Sequence, residues 1–168
     1  MEYWELYDET LKPLNKVVPR GSEIKPGEYF RVCGVICINR EGKILTTKRS
    51  MEKESNPGYW EFTCGTLEPG EDPIKGAIRE LEEETGIVAE PSALKYLGTL
   101  KEEKKFSFIY LYLCREKLKD LVLQKEEVSD AKFLSRMYFL SKLYGDSYAP
   151  PMKRRLVHFF KDYQEFLI

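Results

Sequence analysis

The chain has 168 residues, of which 42% are hydrophobic and 33% charged, a composition typical of a folded globular protein and not of a disordered one. Its 28 acidic and 27 basic residues leave a formal net charge of -1, so the overall charge does not indicate a nucleic-acid polymer or a membrane surface as a partner. No apolar run approaches the roughly 18 residues of a membrane span, and the amino terminus lacks the basic start and apolar core of a signal peptide.

The hydrophobic pattern predicts mixed strands and helices around one core, and therefore a single α/β domain over residues 1–168. Residues 2–19 are predicted as two short strands around a polar turn, so that residues 1–29 form an N-terminal hairpin and extension. The remaining predicted elements are strands at 30–39, 43–50 and 132–135, a short extended piece at 60–64, two strands around a charged turn within 94–115, and helices at 72–86, 136–143 and 150–166. Four scattered cysteines without a Cys-x-x-Cys pair favour reduced thiols and a cytoplasmic protein.

The predicted helix after residue 72 lies within the segment GTLEPGEDPIKGAIRELEEETGI at 65–87. Asp72 suits its N-cap, Pro73 its first position and Gly86 a left-handed C-terminal stop. At 100° per residue, an apolar stripe faces a core, and a separate stripe carries Glu80, Glu83 and Glu84. The segment therefore predicts one helix with a core-facing stripe and a carboxylate stripe.

Acid-rich helix faces are usually solvated, and this interpretation stays open for the carboxylate stripe. However, acids near a helix C-terminus oppose the macrodipole, and Glu80 and Glu84 repel each other at i,i+4. A sequence that keeps both penalties favours a bound cation, and carboxylate oxygens are ligands for hard ions such as Mg²⁺. Arg79 is spaced to pair with Glu71 or Glu83 and to hold the stripe in register.

The spacing of these residues resembles the Nudix box, with every fixed position present in the segment 65–87: Gly65, five residues, Glu71, seven residues, then Arg79-Glu80-Leu81-x-Glu83-Glu84-x-Gly86-Ile87. The resemblance to the Nudix hydrolase family extends over about residues 30–140. It implies an α/β/α sandwich, with a mixed β-sheet between helices and the box as a loop–helix–loop. It also implies metal-dependent hydrolysis of a diphosphate linkage in a nucleoside diphosphate derivative or a related small diphosphate.

The resemblance implies roles for the box residues. Glu80, Glu83 and Glu84 would be ligands of Mg²⁺, with Mn²⁺ as a substitute, and Glu80 or Glu84 would also position or deprotonate the attacking water. Glu71 and Arg79 would orient the ligands. The following positions complete the implied metal site: a backbone carbonyl of Cys64 or Gly65, and a later glutamate for which Glu127 is the candidate, with Glu126, Glu102 and Glu103 as fallback choices.

The substrate-binding residues are less constrained by the box. Arg49 or Lys48, at the end of a predicted strand, is a candidate for contacting phosphate, although a solvated strand end is the alternative. Tyr59 is a candidate for stacking on the group attached to the diphosphate, and packing into the core is its alternative. The family resemblance also allows a homodimer acting on a small molecule.

An isopentenyl diphosphate isomerase-like enzyme is an alternative, because Cys64-Gly65 and the segments WELYDET and RGSEIKPGEYFRV resemble that branch of the same fold. Cys64 would then transfer a proton. Against this alternative, the chain has a single histidine, His158, whereas that enzyme places several around its metal. A second alternative is a non-catalytic nucleotide-binding Nudix module, although such modules usually lose box carboxylates that are all present here.

Overall fold

In the computed structural model, which describes residues 2–143, 145 and 147–167, the strands form two sheets and the helices pack on both faces of the larger one. The strands are β1 (Tyr3–Tyr7), β2 (Pro13–Pro19), β3 (Phe30–Ile38), β4 (Ile44–Arg49), β5 (Trp60–Glu61), β6 (Cys64–Thr66), β7 (Leu94–Lys101), β8 (Lys105–Leu113) and β9 (Val128–Leu134). The helices are α1 (Pro73–Thr85), α2 (Arg136–Leu143), α3 (Pro150–His158) and the short α4 (Phe160–Tyr163). Single 3₁₀ turns lie at Pro91–Ala93, Leu118–Asp120 and Gln164–Phe166.

The larger sheet is mixed, with the strand order β5-β4-β3-β8-β7, and with β6 paired to β3 and β9 paired to β4. β3 runs parallel to β8, from Phe30 opposite Lys105 to Ile38 opposite Leu113, while the other pairs are antiparallel. A strand buried on both faces is expected to be apolar, as β3 is from Val32 to Ile38, where every residue is buried.

Two apolar clusters lie on opposite faces of this sheet. One contains Ile36 of β3 together with Leu156 of α3, and the other contains Val35 of β3 together with Leu81 of α1. Because successive side chains of a strand point to opposite faces, β3 contributes to both clusters. The arrangement is an α/β/α sandwich, which confirms the predicted fold class.

Helix α1 begins and ends at the predicted residues. The Asp72 carboxylate accepts a hydrogen bond from the Ile74 N–H at 3.0 Å, Pro73 is the first helical residue, and Gly86 has a φ of 73°. The apolar stripe is anchored by Ala77 and Leu81, both buried, and the carboxylate stripe carries the buried Glu84 and the exposed Glu83. None of the helices in the described part of the chain has the length and apolarity needed to cross a bilayer.

The single helix predicted over 150–166 is wrong, because the structure divides this segment at Phe159 into α3, α4 and a 3₁₀ turn. Phe159 packs against Gly98, where a Cβ would lie 2.8 Å from the phenylalanine ring. The Tyr163 hydroxyl donates a hydrogen bond of 2.8 Å to the Leu156 carbonyl, which lies next to the break. Side-chain packing therefore interrupts a segment whose spacing alone favours a continuous helix.

Two strand predictions also need correction. The strand predicted at 132–135 begins earlier, as β9 from Val128, and its register against β4 shifts between Lys48 and Arg49. This irregularity removes the simple alternation by which a strand is recognised. The extended piece predicted at 60–64 is divided, because β5 pairs with β4 while β6 pairs with β3.

The N-terminal segment places a small antiparallel sheet, β1 with β2, beside the segment 65–87. Trp4 of β1 stacks on Phe30 of β3 with ring centroids 4.3 Å apart and an interplanar angle of 5°. The Glu5 carboxylate accepts a hydrogen bond of 2.9 Å from the Gly70 N–H. The hairpin is therefore attached to the loop that leads into α1.

Candidate active site

Glu80 lies directly over the backbone of Gly65. A Cβ built at position 65 would lie 1.8 Å from the Glu80 carboxyl carbon and 2.1 Å from each of its oxygens. Contacts this short are impossible, so only glycine allows the Glu80 carboxylate to occupy this place. The conformation of β6 and the orientation of α1 thus jointly fix the position of one candidate ligand.

Arg79 connects four groups around the start of the site. Its guanidinium donates to both oxygens of Glu71 at 2.9 and 3.0 Å, to Glu80 at 2.8 Å, to Glu83 at 3.2 Å, and to the Thr66 carbonyl at 3.1 Å. Burial alone would raise the pKa of Glu71, but the hydrogen bonds from Arg79 lower it, so this carboxylate stays charged. Arg79 therefore holds the loop before α1 and two of the three acids in register.

Glu84 is the most deeply placed of the three acids, with 6% of its surface exposed. Its Oε2 atom is buried and has no hydrogen-bond partner among the described residues. Burial raises the pKa of Glu84 strongly, and the nearby charges of Glu61 and Glu80 raise it further. Burial likewise raises the pKa of Glu80 to about 7, in spite of the opposing charge of Arg79.

As they stand, no group of three or more His, Cys, Asp or Glu side chains in residues 2–143, 145 and 147–167 is arranged to hold a metal ion. Arg79 instead contacts two of the candidate ligands, Glu80 and Glu83. The residues nevertheless fit a hard divalent cation, because Glu84 presents a buried carboxylate oxygen without a partner and Glu80 is held in a cradle of matching shape. A cation there would offset the burial of both carboxylates.

A cavity of about 1050 Å³ opens beside these acids. Its lining includes the carboxylate face of α1 and the aromatic residues Trp4 and Phe30 at the hairpin, together with the cationic side chains Arg49, Lys53, Lys105 and Arg155. Ligand sites usually enclose roughly 300–1,000 Å³, so the space is adequate for a molecule of nucleotide size. Carboxylates and cations around one cavity are the combination needed to bind phosphate through a metal ion and through direct contacts.

A family model described as NUDIX domain matches residues 28–156 of this chain. An uncharacterized Nudix hydrolase of Listeria monocytogenes is 35% identical over 137 residues, which cover 81% of this chain and 81% of the relative. The chain belongs to the Nudix hydrolase family. The resemblance based on the box at 65–87 is thereby confirmed.

Other relatives extend the comparison for this Nudix chain. An isopentenyl-diphosphate Delta-isomerase of Streptomyces griseus is 28% identical over 142 residues, covering 78% of this chain and 70% of the relative. A crystal structure of a Deinococcus radiodurans protein covers 92% of this chain and 98% of its own, with a TM-score of 0.72 and 20% identity. A Francisella tularensis bifunctional NMN adenylyltransferase/ADP ribose pyrophosphatase, complexed with AMP and a Mn ion, covers 84% of this chain and 43% of its own, with a TM-score of 0.66 and 17% identity. The two structures support the fold.

The structure brings most of the predicted site residues of the Nudix chain to one cavity. Its lining includes Gly65, Arg79, Glu80, Glu83, Glu84, Glu127 and Arg49. Glu71 does not line the cavity and is joined to it through its hydrogen bonds with Arg79. Glu127 pairs with Lys53, and Glu126 also lines the cavity. The box carboxylates and the downstream glutamate candidate therefore share one space.

Two predicted substrate-binding residues lie elsewhere. Lys48 is on the other face of β4 from Arg49, with its Nζ 6.0 Å from the centroid of the Trp60 ring. Tyr59 packs against the core cluster that contains Leu156. Neither lines the cavity, and the core contacts of Tyr59 agree with its packing alternative; the substrate-binding roles of both residues stay predictions.

Arg49 lines the cavity but already has protein partners. Its guanidinium donates to the Ser55 carbonyl at 2.8 Å and forms an ion pair with Glu61. Burial raises the pKa of Glu61, although the charge and hydrogen bond of Arg49 act in the opposite direction. Arg49 is thus held at the edge of the cavity and joined to a buried carboxylate near Glu84.

Cys64 contacts residues that the sequence pattern did not connect with it. The Arg155 Nη1 lies 2.7 Å from the Cys64 Sγ, and the same guanidinium donates to Glu102 at 2.8 and 3.0 Å. Burial raises the pKa of the Cys64 thiol to about 11, although the charge of Arg155 lowers it. Glu102 is paired with Arg155, and Glu103 and His158 are exposed; Glu102 and Glu103 stay predictions as fallback ligands.

The cationic residues Lys53, Lys105 and Arg155 are site residues that sequence reasoning missed. A signal for Arg155 exists in the terminal helix, because it lies three residues after Met152 and adjacent to Leu156, on the buried face. A charged residue on an apolar stripe indicates a buried partner. No comparable local signal marks Lys53 or Lys105.

Proposed function

We propose that this chain is a metal-dependent Nudix hydrolase that cleaves a diphosphate linkage in a nucleoside diphosphate derivative or a related small diphosphate. The observation that carries the proposal is the buried, unpartnered oxygen of Glu84 beside Glu80, at the edge of a cavity of about 1050 Å³. An uncompensated buried carboxylate costs free energy, so its presence is explained by a function that requires it.

Glu80, Glu83 and Glu84 are the proposed holders of Mg²⁺, with the Gly65 carbonyl and Glu127 as further ligands. When bound, the divalent ion would neutralise phosphate charge and make a bound water more acidic. Arg79 has to release Glu83, its most exposed partner, for that side chain to join the site. The manganese ion in the Francisella tularensis structure supports Mn²⁺ as a substitute.

The chain's own side chains then supply the remaining parts of the reaction. Glu80 or Glu84 accepts the proton of the attacking water, whose oxygen forms a bond to one phosphorus while the bond from that phosphorus to the bridging oxygen breaks. Arg79, fixed by Glu71, keeps the acids in position. Arg49 and Lys53, which line the cavity, stabilise the negative charge of the departing phosphate.

The test is product release from a panel of diphosphates in the presence of Mg²⁺. The panel contains nucleoside diphosphates, sugar nucleotides, dinucleotides and isopentenyl diphosphate, and compares wild type with Glu83→Gln and Glu84→Gln. We expect kcat to fall by several orders of magnitude in both variants, with folding unchanged by circular dichroism. Glu82→Gln, an exposed acid on the same helix, is the matched control. Comparable turnover in wild type and both variants would refute the proposal.

A second candidate is an isomerase acting on isopentenyl diphosphate. It is favoured by the position of Cys64 in the cavity lining and by the similarity to the Streptomyces griseus isomerase. Product analysis distinguishes the two candidates, because isomerisation conserves the diphosphate whereas hydrolysis releases phosphate. Cys64→Ser should abolish an isomerase and leave a hydrolase active.

A non-catalytic module is the outcome indicated by nucleotide binding without turnover of any panel member.

The hydrolase proposal also includes residues 1–168 acting as one domain, and it places the protein in the cytoplasm. Its substrate is a small molecule, with neither a nucleic-acid polymer nor a membrane as partner, and sedimentation tests whether the active form is a homodimer.

A further inference from the structure

Two cations share one carboxylate at the wall of the cavity. Glu102 accepts the paired hydrogen bonds of Arg155, and the Lys105 Nζ lies 3.7 Å from its Oε2. The side chains of Arg155 and Glu102 are each 5% exposed, and that of Lys105 is 26% exposed. Both cations line the cavity, so the group carries a net positive charge that faces the substrate space.

The ion pair does not use all donors of the two cations. A guanidinium has five N–H groups, and those of Arg155 described here are directed to Glu102 twice and to the Cys64 sulfur once. A thiol sulfur is a weak acceptor. An anionic oxygen in its place would accept a stronger hydrogen bond from the Arg155 guanidinium. Lys105 has three donors, and Glu102 lies beyond hydrogen-bond distance from it.

The location of this group connects it with the acidic site. Arg155 contacts Cys64, which precedes Gly65, the residue over which the Glu80 carboxylate lies. Arg155 and the proposed metal ligand Glu80 therefore contact adjacent residues of the same short strand, β6. Burial lowers the pKa of Lys105, and the charge of Arg155 lowers it further, as expected for a cation without sufficient negative charge around it.

We propose that Lys105 and Arg155 form a phosphate-binding subsite, which contacts oxygens of the substrate's diphosphate beside the acidic face of α1. The identity of the ligand as a diphosphate rests on the proposed function. Glu102 is a positioning residue in this subsite, because it orients Arg155 through paired hydrogen bonds and does not itself face an anion. The alternative is that Arg155 and Glu102 only attach α3 to the turn between β7 and β8.

The experiment measures binding of methylenediphosphonate, a diphosphate analogue whose bridging carbon resists hydrolysis, by titration calorimetry with and without Mg²⁺. Lys105→Met removes one cation and leaves the pair of Arg155 and Glu102 intact, so we expect normal folding and a rise in Kd of at least about tenfold. Lys101→Met is the matched control, because Lys101 lies in the same hairpin but pairs with Glu9. Its Kd should stay within about twofold of wild type.

Arg155 is tested with its partner removed, because Arg155→Met alone would leave Glu102 buried without a counter-charge. The double variant Glu102→Leu with Arg155→Met removes both charges, and a melting curve checks that it folds. We expect it to lose affinity for the analogue by about tenfold or more. If it does not fold, Arg155→Lys replaces it, and loss of the paired geometry should still weaken binding by several fold.

Unchanged affinity in Lys105→Met would refute the subsite, and unchanged affinity in the double variant would leave Arg155 with a structural role only. Turnover and analogue binding together distinguish a failure of the subsite from a failure of the proposed function. Wild-type turnover with unaltered analogue binding in the variants overturns only the subsite. Absence of wild-type turnover with weakened binding in Lys105→Met overturns only the hydrolase assignment.

Discussion

Glu84→Gln is expected to stabilise the metal-free protein while abolishing turnover. In the structure Glu84 is 6% exposed, and its Oε2 has no partner among the residues described. Glu84→Gln keeps a polar group at this place but removes the charge, and leaving a charged group buried and unpaired costs more than the roughly 1–3 kcal/mol of a neutral polar group. We therefore expect the free energy of unfolding without divalent ions to rise by about 1–3 kcal/mol, or about 2–12 °C in Tm for a chain of this size.

Addition of Mg²⁺ should reverse this order. A ligand at one hundred times its Kd stabilises the folded state by about 2.7 kcal/mol, and the gain disappears when a ligand residue is lost. Wild type should thus gain several degrees in Tm on addition of Mg²⁺, and Glu84→Gln should gain much less. Glu82→Gln, exposed on the same helix, should behave as wild type in both conditions.

The assay is differential scanning calorimetry with EDTA and with saturating Mg²⁺, followed by turnover of the best substrate from the panel. Full activity in Glu84→Gln would refute the role of this carboxylate in the site. Equal or lower metal-free stability in this variant would show that the buried charge of Glu84 carries no cost in the metal-free protein, which would contradict the reasoning from burial.

Three further predictions concern groups around the site. Gly65→Ala forces the Glu80 carboxylate to move, since a Cβ would lie 1.8 Å from its carboxyl carbon. We expect a near-normal melting curve with a strongly reduced kcat. A normal kcat would show that catalysis does not depend on the place of Glu80 over Gly65. Glu5→Ala removes the acceptor of the Gly70 N–H, and faster amide exchange of the loop before α1, measured by mass spectrometry, should result. Burial alone would raise the pKa of Glu102, but the hydrogen bonds and charge of its arginine partner lower it, so its stabilising contribution is present above about pH 4.5 and is lost as pH falls through the folded-state pKa. In urea titrations from pH 7 to pH 2, the stability difference between wild type and Glu102→Gln should therefore shrink below about pH 4.5, and a constant difference would exclude this linkage.

The box was predictable because its information is local. Helical periodicity, the N-cap at Asp72 and the left-handed stop at Gly86 fix which faces the helix presents, and these depend on residues at most a few positions apart. The same holds for Glu71 and Glu83, the two predicted partners of Arg79, whereas its contact with the Thr66 carbonyl of β6 was not predicted.

The cationic side of the cavity was not predictable, because its contacts join distant parts of the chain. Arg155 and Glu102 are 53 residues apart, and Lys53 and Glu127 are 74 residues apart. The alternation of a strand shows that Lys48 and Arg49 face opposite sides, but it does not show which side is the cavity. That choice depends on the packing of Lys48 near Trp60.

Charge repulsion along α1 is smaller in the structure than the sequence alone indicates, because Arg79 lies between the acids. Two of the three acids, Glu80 and Glu83, already have a counter-charge in Arg79, so repulsion between them is compensated without any metal ion. Within the described part of the chain Glu84 has no such counter-charge, and it is buried, so it does not belong to a solvated acidic face. Glu84 is therefore the acid whose charge a bound cation would stabilise most, because burial and the neighbouring carboxylates both raise its pKa. A bound divalent ion and Arg79 would be alternative counter-charges for Glu80 and Glu83, and competition between them would couple metal binding to the orientation of the loop held by Glu71.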